Sequence, residues 1–123
     1  MTPLITLTTD FGLSDEYVGV MKGVIHSRCP GATIVDITHG IRPQDVRQAA
    51  RVIAAAYHYF PPHTIHVMVV DPGVGSLRRI ILLQACGHLF LAPDNGVTTL
   101  LPQTEKVYEV SNSELFLQPV SPT

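Results

Sequence analysis

Short apolar runs rich in β-branched residues alternate, from Leu4 to Val70, with longer stretches whose apolar residues recur at intervals of three and four. The first kind predicts buried strands and the second predicts amphipathic helices. Leu4 to Thr8 is the first strand, and it opens into Thr9-Asp10-Phe11-Gly12-Leu13-Ser14-Asp15, a polar, glycine-containing loop. Ser14 or Asp15 can cap the following helix. Its stripe is Tyr17, Val20, Met21, Val24 and Ile25, and Cys29-Pro30-Gly31 stops it. Thr33 to Ile37 is the second strand and delivers Asp36, Thr38 and His39 to its end. Pro43 suits the first turn of a second helix, whose stripe of Val46, Ala49, Ala50, Ile53, Ala54 and Tyr57 runs to the stop at Pro61-Pro62.

The third run, Thr64 to Val70, reaches Asp71 and turns on Pro72, Gly73 and Gly75 before paired arginines, Arg78 and Arg79, lead into another apolar run. Pro72 has no amide to donate to a ladder, so the strand ends there and Asp71 belongs to its rim. Right-handed crossovers make the three strands parallel. Arg79 to Ala85 and Leu89 to Ala92 flank Cys86-Gly87-His88 as a hairpin, which mixes the sheet. Pro93-Asp94-Asn95-Gly96 is a turn, Val97 to Leu101 is a strand or one short helical turn, and Lys106 to Val110 is a last strand. The predicted fold is α/β, with a mixed, largely parallel sheet flanked by helices.

Ligands of open α/β sheets bind beyond the carboxyl ends of the strands, which makes Asp71 the first candidate and Asp10 the second. An Asp-Pro-Gly turn that merely reverses the chain is the competing reading of Asp71. Gly73-Val74-Gly75-Ser76-Leu77-Arg78 begins like a dinucleotide fingerprint, but Arg78 stands where the third glycine belongs and a strand follows, which argues against a nicotinamide or flavin. Among the histidines only His39 falls at a strand rim. No His-x-His or His-x-x-x-His pair supports a metal, although Asp10, Asp36, His39, Asp71 and Asp94 could be gathered by the fold into a hard-cation site.

Composition narrows the picture in three respects. The 123 residues form one domain, and 46% hydrophobic against 15% charged residues suits a covered sheet. A net charge of −2 supplies no attraction to nucleic acid or an anionic membrane. Cys29 and Cys86 are isolated and read as small buried hydrophobes of a reducing compartment. No apolar run approaches the ~20 residues needed to span a bilayer, so the expected location is cytoplasmic.

Four ordered motifs then point to one family. They are Thr8-Thr9-Asp10-Phe11-Gly12 with Asp15-Glu16-Tyr17-Val18-Gly19 and Lys22-Gly23; Ile34-Val35-Asp36-Ile37-Thr38-His39; Val69-Val70-Asp71-Pro72-Gly73-Val74-Gly75 with Arg78; and Ala92-Pro93-Asp94-Asn95-Gly96. Together they resemble the S-adenosylmethionine hydroxide adenosyltransferases, the water-using relatives of fluorinase and chlorinase. The resemblance implies an α/β N-terminal domain, a smaller β-rich C-terminal domain and a homotrimer with active sites between subunits. It implies displacement at C5′ of S-adenosylmethionine by water, with no cofactor. It assigns Asp71 and Arg78 to the attacking water, Asp10 to the ribose hydroxyls and Asp15 to the methionine end.

The family's pattern continues past a segment like Leu115-Phe116-Leu117-Gln118-Pro119-Val120 into an aromatic-His-Gly-Arg-Asp motif with a third catalytic residue. Residues 1–123 are therefore expected to be an N-terminal portion, without the C-terminal domain and inactive alone. Halide chemistry is not expected, since Asp71 and Val74 stand where the halogenating relatives have an aromatic residue and a threonine. Two alternatives remain: a non-catalytic domain that binds a nucleoside or assembles oligomers, and a metal-dependent hydrolase built on the rim carboxylates and His39.

Overall fold

The structure, a computed structural model, describes residues 2–71 and 79–110. Six strands form one sheet: β1 (Leu4–Thr9), β2 (Thr33–Thr38), β3 (Ile65–Val69), β4 (Ile80–Ala85), β5 (His88–Pro93) and β6 (Thr104–Glu109), in the order β2-β1-β3-β5-β4-β6. β1 pairs in parallel with β2 and β3, and β5 pairs in parallel with β3. β4 runs antiparallel to both β5 and β6. The mixed sheet and the β4–β5 hairpin agree with the sequence pattern. Cys86 and Gly87 at its tip have φ of +56° and +77°, the positive values that a two-residue hairpin turn needs at both central positions.

Helices α1 (Tyr17–Arg28) and α2 (Val46–Ala56) connect the first three strands, and a single 3-10 turn, Tyr57–Tyr59, follows α2. The chain steps from β1 outward to β2 and then back across β1 to β3. Right-handed crossovers in opposite directions require helices on opposite faces, and the two cores are divided accordingly. Ile5, Leu7 and Ala32 pack with Met21 and Ile25 of α1. Ala49 and Ile53 of α2 pack with Met68, Val70, Leu83, Phe90, Val97 and Leu101. Residues 97–100 form the short turn, with Leu101 donating to the Thr98 carbonyl, which decides between the two readings of that stretch.

Three local expectations are corrected. α2 begins at Val46 rather than at Pro43, because Asp45 is the cap, its carboxylate accepting from the Gln48 amide, and Gln44 at φ +62° breaks helical geometry just before it. α1 divides its apolar stripe. Met21 and Ile25 face the core, while Tyr17 and Val20 stay 60% and 57% exposed because α1 lies over the edge of the sheet, where β2 is the last strand. The cysteines are half-buried rather than core residues, and Cys86 Sγ donates to the Pro102 carbonyl at 2.8 Å.

Candidate active site

Because β1, β2, β3 and β5 are mutually parallel, their carboxyl ends share one rim, and Asp10, Asp36, Asp71 and Asp94 lie at or beyond it. Thr9 and Val69 are register partners, so Asp10 and Asp71 leave the sheet from neighbouring strands about 5 Å apart. Both are half-buried. Asp10 Oδ2 accepts from the Gln44 amide at 2.8 Å, and Oδ1 has no partner among the described residues. The side chain of Asn95 donates to the Val70 carbonyl at 2.7 Å, clasping the strand end immediately before Asp71. Sequence reading gave Asn95 a place in a turn and in the fourth motif, with no bonding partner. A side-chain amide within bonding reach of a preceding strand end was the missing signal.

The second strand end is wired more heavily. His39, 5% exposed, stands between Asp36 Oδ1, 2.8 Å from its Nε2, and the Thr9 hydroxyl, 2.7 Å from its Nδ1. Lys22 of α1 donates to the other Asp36 oxygen at 2.7 Å. Burial works to raise the Asp36 pKa, but the Lys22 and His39 bonds and charges outweigh it and hold the carboxyl below its ordinary range. A cavity of about 510 Å³ lies against this group, lined by Gly12, Leu13, Asp36, Thr38, His39 and Gly40.

The remaining candidates separate from one another. Asp15 is exposed, and its Oδ1 accepts from the Tyr17 amide at 3.1 Å; the cap position of α1 is Glu16, whose side chain makes no cap bond, rather than Ser14 or Asp15. Arg79 pairs with Asp94, and that bond raises the guanidinium pKa further. Arg78 lies outside the described residues, as do Gly73, Val74 and Gly75. Of the residues named for a hard-cation site, Asp36 pairs with Lys22 and His39, and Asp94 with Arg79, and no three His, Cys, Asp or Glu among the described residues are grouped to hold a metal ion.

An α/β domain with carboxylates at the ends of adjacent parallel strands, and a largely apolar cavity beside Asp36 and His39, is built to receive a small molecule at that rim. Residues 5–123 match the model of the SAM hydroxide adenosyltransferase N-terminal domain, and the chain belongs to that family. It is 42% identical over 117 residues to the (R)-S-adenosyl-L-methionine hydrolase of Salinispora arenicola, covering 92% of this chain and 44% of that protein. Against the Thermus thermophilus hydrolase it is 45% identical over 101 residues, 81% of this chain and 38% of the relative. A fluorinase of Actinoplanes sp. is 30% identical over 147 residues, with 98% and 49% covered. The crystal structure of a conserved protein from Thermotoga maritima superposes with a TM-score of 0.87 at 43% identity, over 91% of this chain and 44% of that one. The chain thus spans less than half the length of the hydrolases it matches.

Proposed function

We propose that this chain forms the α/β part of an enzyme that hydrolyses S-adenosylmethionine to adenosine and L-methionine. The observation that carries the reading is the pair of carboxylates, Asp10 and Asp71, following neighbouring parallel strands in a chain related throughout to S-adenosylmethionine hydrolases. Water attacks C5′, the new C–O bond forms as the C5′–S bond breaks, and its electron pair leaves with the sulfur of methionine. The proton released from water goes to solvent. Asp71 and Arg78 flank the water, the arginine stabilising its hydroxide-like character by fixed charge. Asp10 accepts from the ribose hydroxyls and Asp15 holds the methionine end.

Sulfonium is already a good leaving group, so the reaction needs positioning and charge and no cofactor or metal. Tyr17, Val20 and Leu13, exposed together around the start of α1, support assembly with further copies, a homotrimer by analogy with the family. The free thiols of Cys29 and Cys86 fit a cytoplasmic enzyme. The test is to incubate the protein, at the full length its gene encodes, with S-adenosylmethionine and separate the products. Adenosine and methionine in equal amounts, unaffected by chelator and lost in Asp71→Asn, are expected. No adenosine above background, or activity that disappears with chelator, would overturn the reading.

A further inference from the structure

We infer that His39, clamped between Asp36 and Thr9, is a positioning residue that sets the Asp10 carboxylate in place. The turn that bears Asp10 is Thr9-Asp10-Phe11-Gly12, and His39 grips it at two points. Its backbone carbonyl accepts from the Gly12 amide at 2.8 Å, and its ring meets the Thr9 hydroxyl at 2.7 Å. A carboxylate can only accept, so Nε2 carries the proton toward Asp36. In the neutral ring Nδ1 is then the acceptor, and the Thr9 hydroxyl must donate to it. That frees the lone pairs of the Thr9 oxygen for the Phe11 amide, which donates to it at 3.2 Å. Every proton in the row Lys22, Asp36, His39, Thr9, Phe11 therefore has one consistent assignment.

Thr9 is fully buried and cannot meet a substrate, and His39 is nearly so. Their value lies in the hold they give on Asp10, the residue after Thr9. The Thr9 carbonyl also accepts from the Ile41 amide at 3.3 Å, and Asp10 in turn accepts from the Gln44 amide, so the β1 and β2 loops are tied along Thr9 to Gly12 and His39 to Gln44. With one oxygen held by Gln44, the carboxylate can turn Oδ1 toward a ligand in a fixed direction. Loss of the Thr9–His39 bond would orphan a buried hydroxyl and slacken the turn from its root.

The inference rests on the proposed role of Asp10 at the ribose for its kinetic consequence, but not for its structural one. Two substitutions separate the ends of the ring: His39→Asn keeps an acceptor near the place of Nδ1, whereas His39→Gln keeps a donor near Asp36 and loses the Thr9 end. In the full-length protein we expect His39→Gln to raise KM about tenfold with a smaller change in kcat, and His39→Asn to raise it about threefold or less. In an Asp10→Asn background the His39→Gln effect should vanish, because nothing remains to be positioned. Thr9→Val should reproduce it and Thr9→Ser restore it, which decides the matter should His39→Gln fail to fold. Amide exchange of Gly12 and Gln44, followed without substrate, should quicken in Thr9→Val. Additive losses with Asp10→Asn, or unchanged exchange at both amides, would overturn the inference. Wild type that makes no adenosine would instead sink the proposed reaction and leave the exchange measurement to judge His39.

Discussion

Arg78 and Arg79 are adjacent, and on an extended chain adjacent side chains take opposite faces, so only one can serve a water beside Asp71. Arg79 is committed to Asp94 at the start of β4 and remains exposed. Arg78→Ala should lower turnover on the order of 10²-fold or more, as loss of a charge-stabilising donor does, whereas Arg79→Ala should cost less than tenfold. Steady-state kinetics on both folded variants decide it, and equal losses would exclude Arg78 from its assigned role. A second prediction concerns Thr8, whose buried hydroxyl has no hydrogen-bond partner among the described residues. Replacing it with the isosteric valine removes that unmet need, so Thr8→Val should be stabilising by about 1 kcal/mol in denaturant unfolding. A clear loss of stability would mean that the hydroxyl is bonded after all.

Among the elements, β3 and β5 carry a buried imidazole pair at the end of the sheet opposite the rim. Thr6 Oγ1 lies 2.7 Å from His66 Nδ1, and His66 Nε2 lies 3.2 Å from His88 Nδ1. Burial, and secondarily His88, pushes the His66 pKa down to about 4, and burial with His63 lowers that of His88. The unfolded chain therefore binds protons below about pH 6.5 that the folded protein refuses until about pH 4. Stability should be complete above pH 6.5 and fall through that window, by at most about 3 kcal/mol from His66. Urea midpoints measured from pH 7 to 4 should show the slope, and His66→Gln should flatten it. At the other helix, Asp45→Ala removes the cap of α2 and should cost about 1 kcal/mol in the same assay. A cost near zero would show that Gln44 and its contact with Asp10 set the helix start instead.

At the scale of the molecule, large apolar side chains remain exposed at both borders of the sheet. Leu13, Tyr17 and Val20 lie at one, Val107 and Tyr108 at the other, and every residue of β6 is exposed. Lys106, Glu105 and Glu109 blunt β6 against indiscriminate pairing. The α1 patch is interrupted only by the exposed carboxylates of Asp15 and Glu16 and lies off the pairing edge of β2, so association is expected there. Sedimentation velocity should show a species heavier than the monomer that recedes in Val20→Glu, and an unchanged distribution would shift the contact elsewhere.

The strand and helix order, the parallel core and the antiparallel hairpin were all legible in the sequence, because periods of two and of three to four residues, with Pro and Gly as punctuation, are local properties. So were Asp10 and Asp71 as rim carboxylates, since a strand that ends on an acidic residue is visible without knowing its neighbours. What the pattern could not show was which donors meet across the rim. Gln44 reaching Asp10, Asn95 reaching Val70, and His39 between Asp36 and Thr9 join positions that only the parallel packing of β1, β2, β3 and β5 brings together. The start of α2 escaped for the same reason, because a carboxylate from β1 stabilises the left-handed residue before its cap. The exposed half of α1 did too, because an apolar stripe records what could be buried, while the width of the sheet beneath decides how much is.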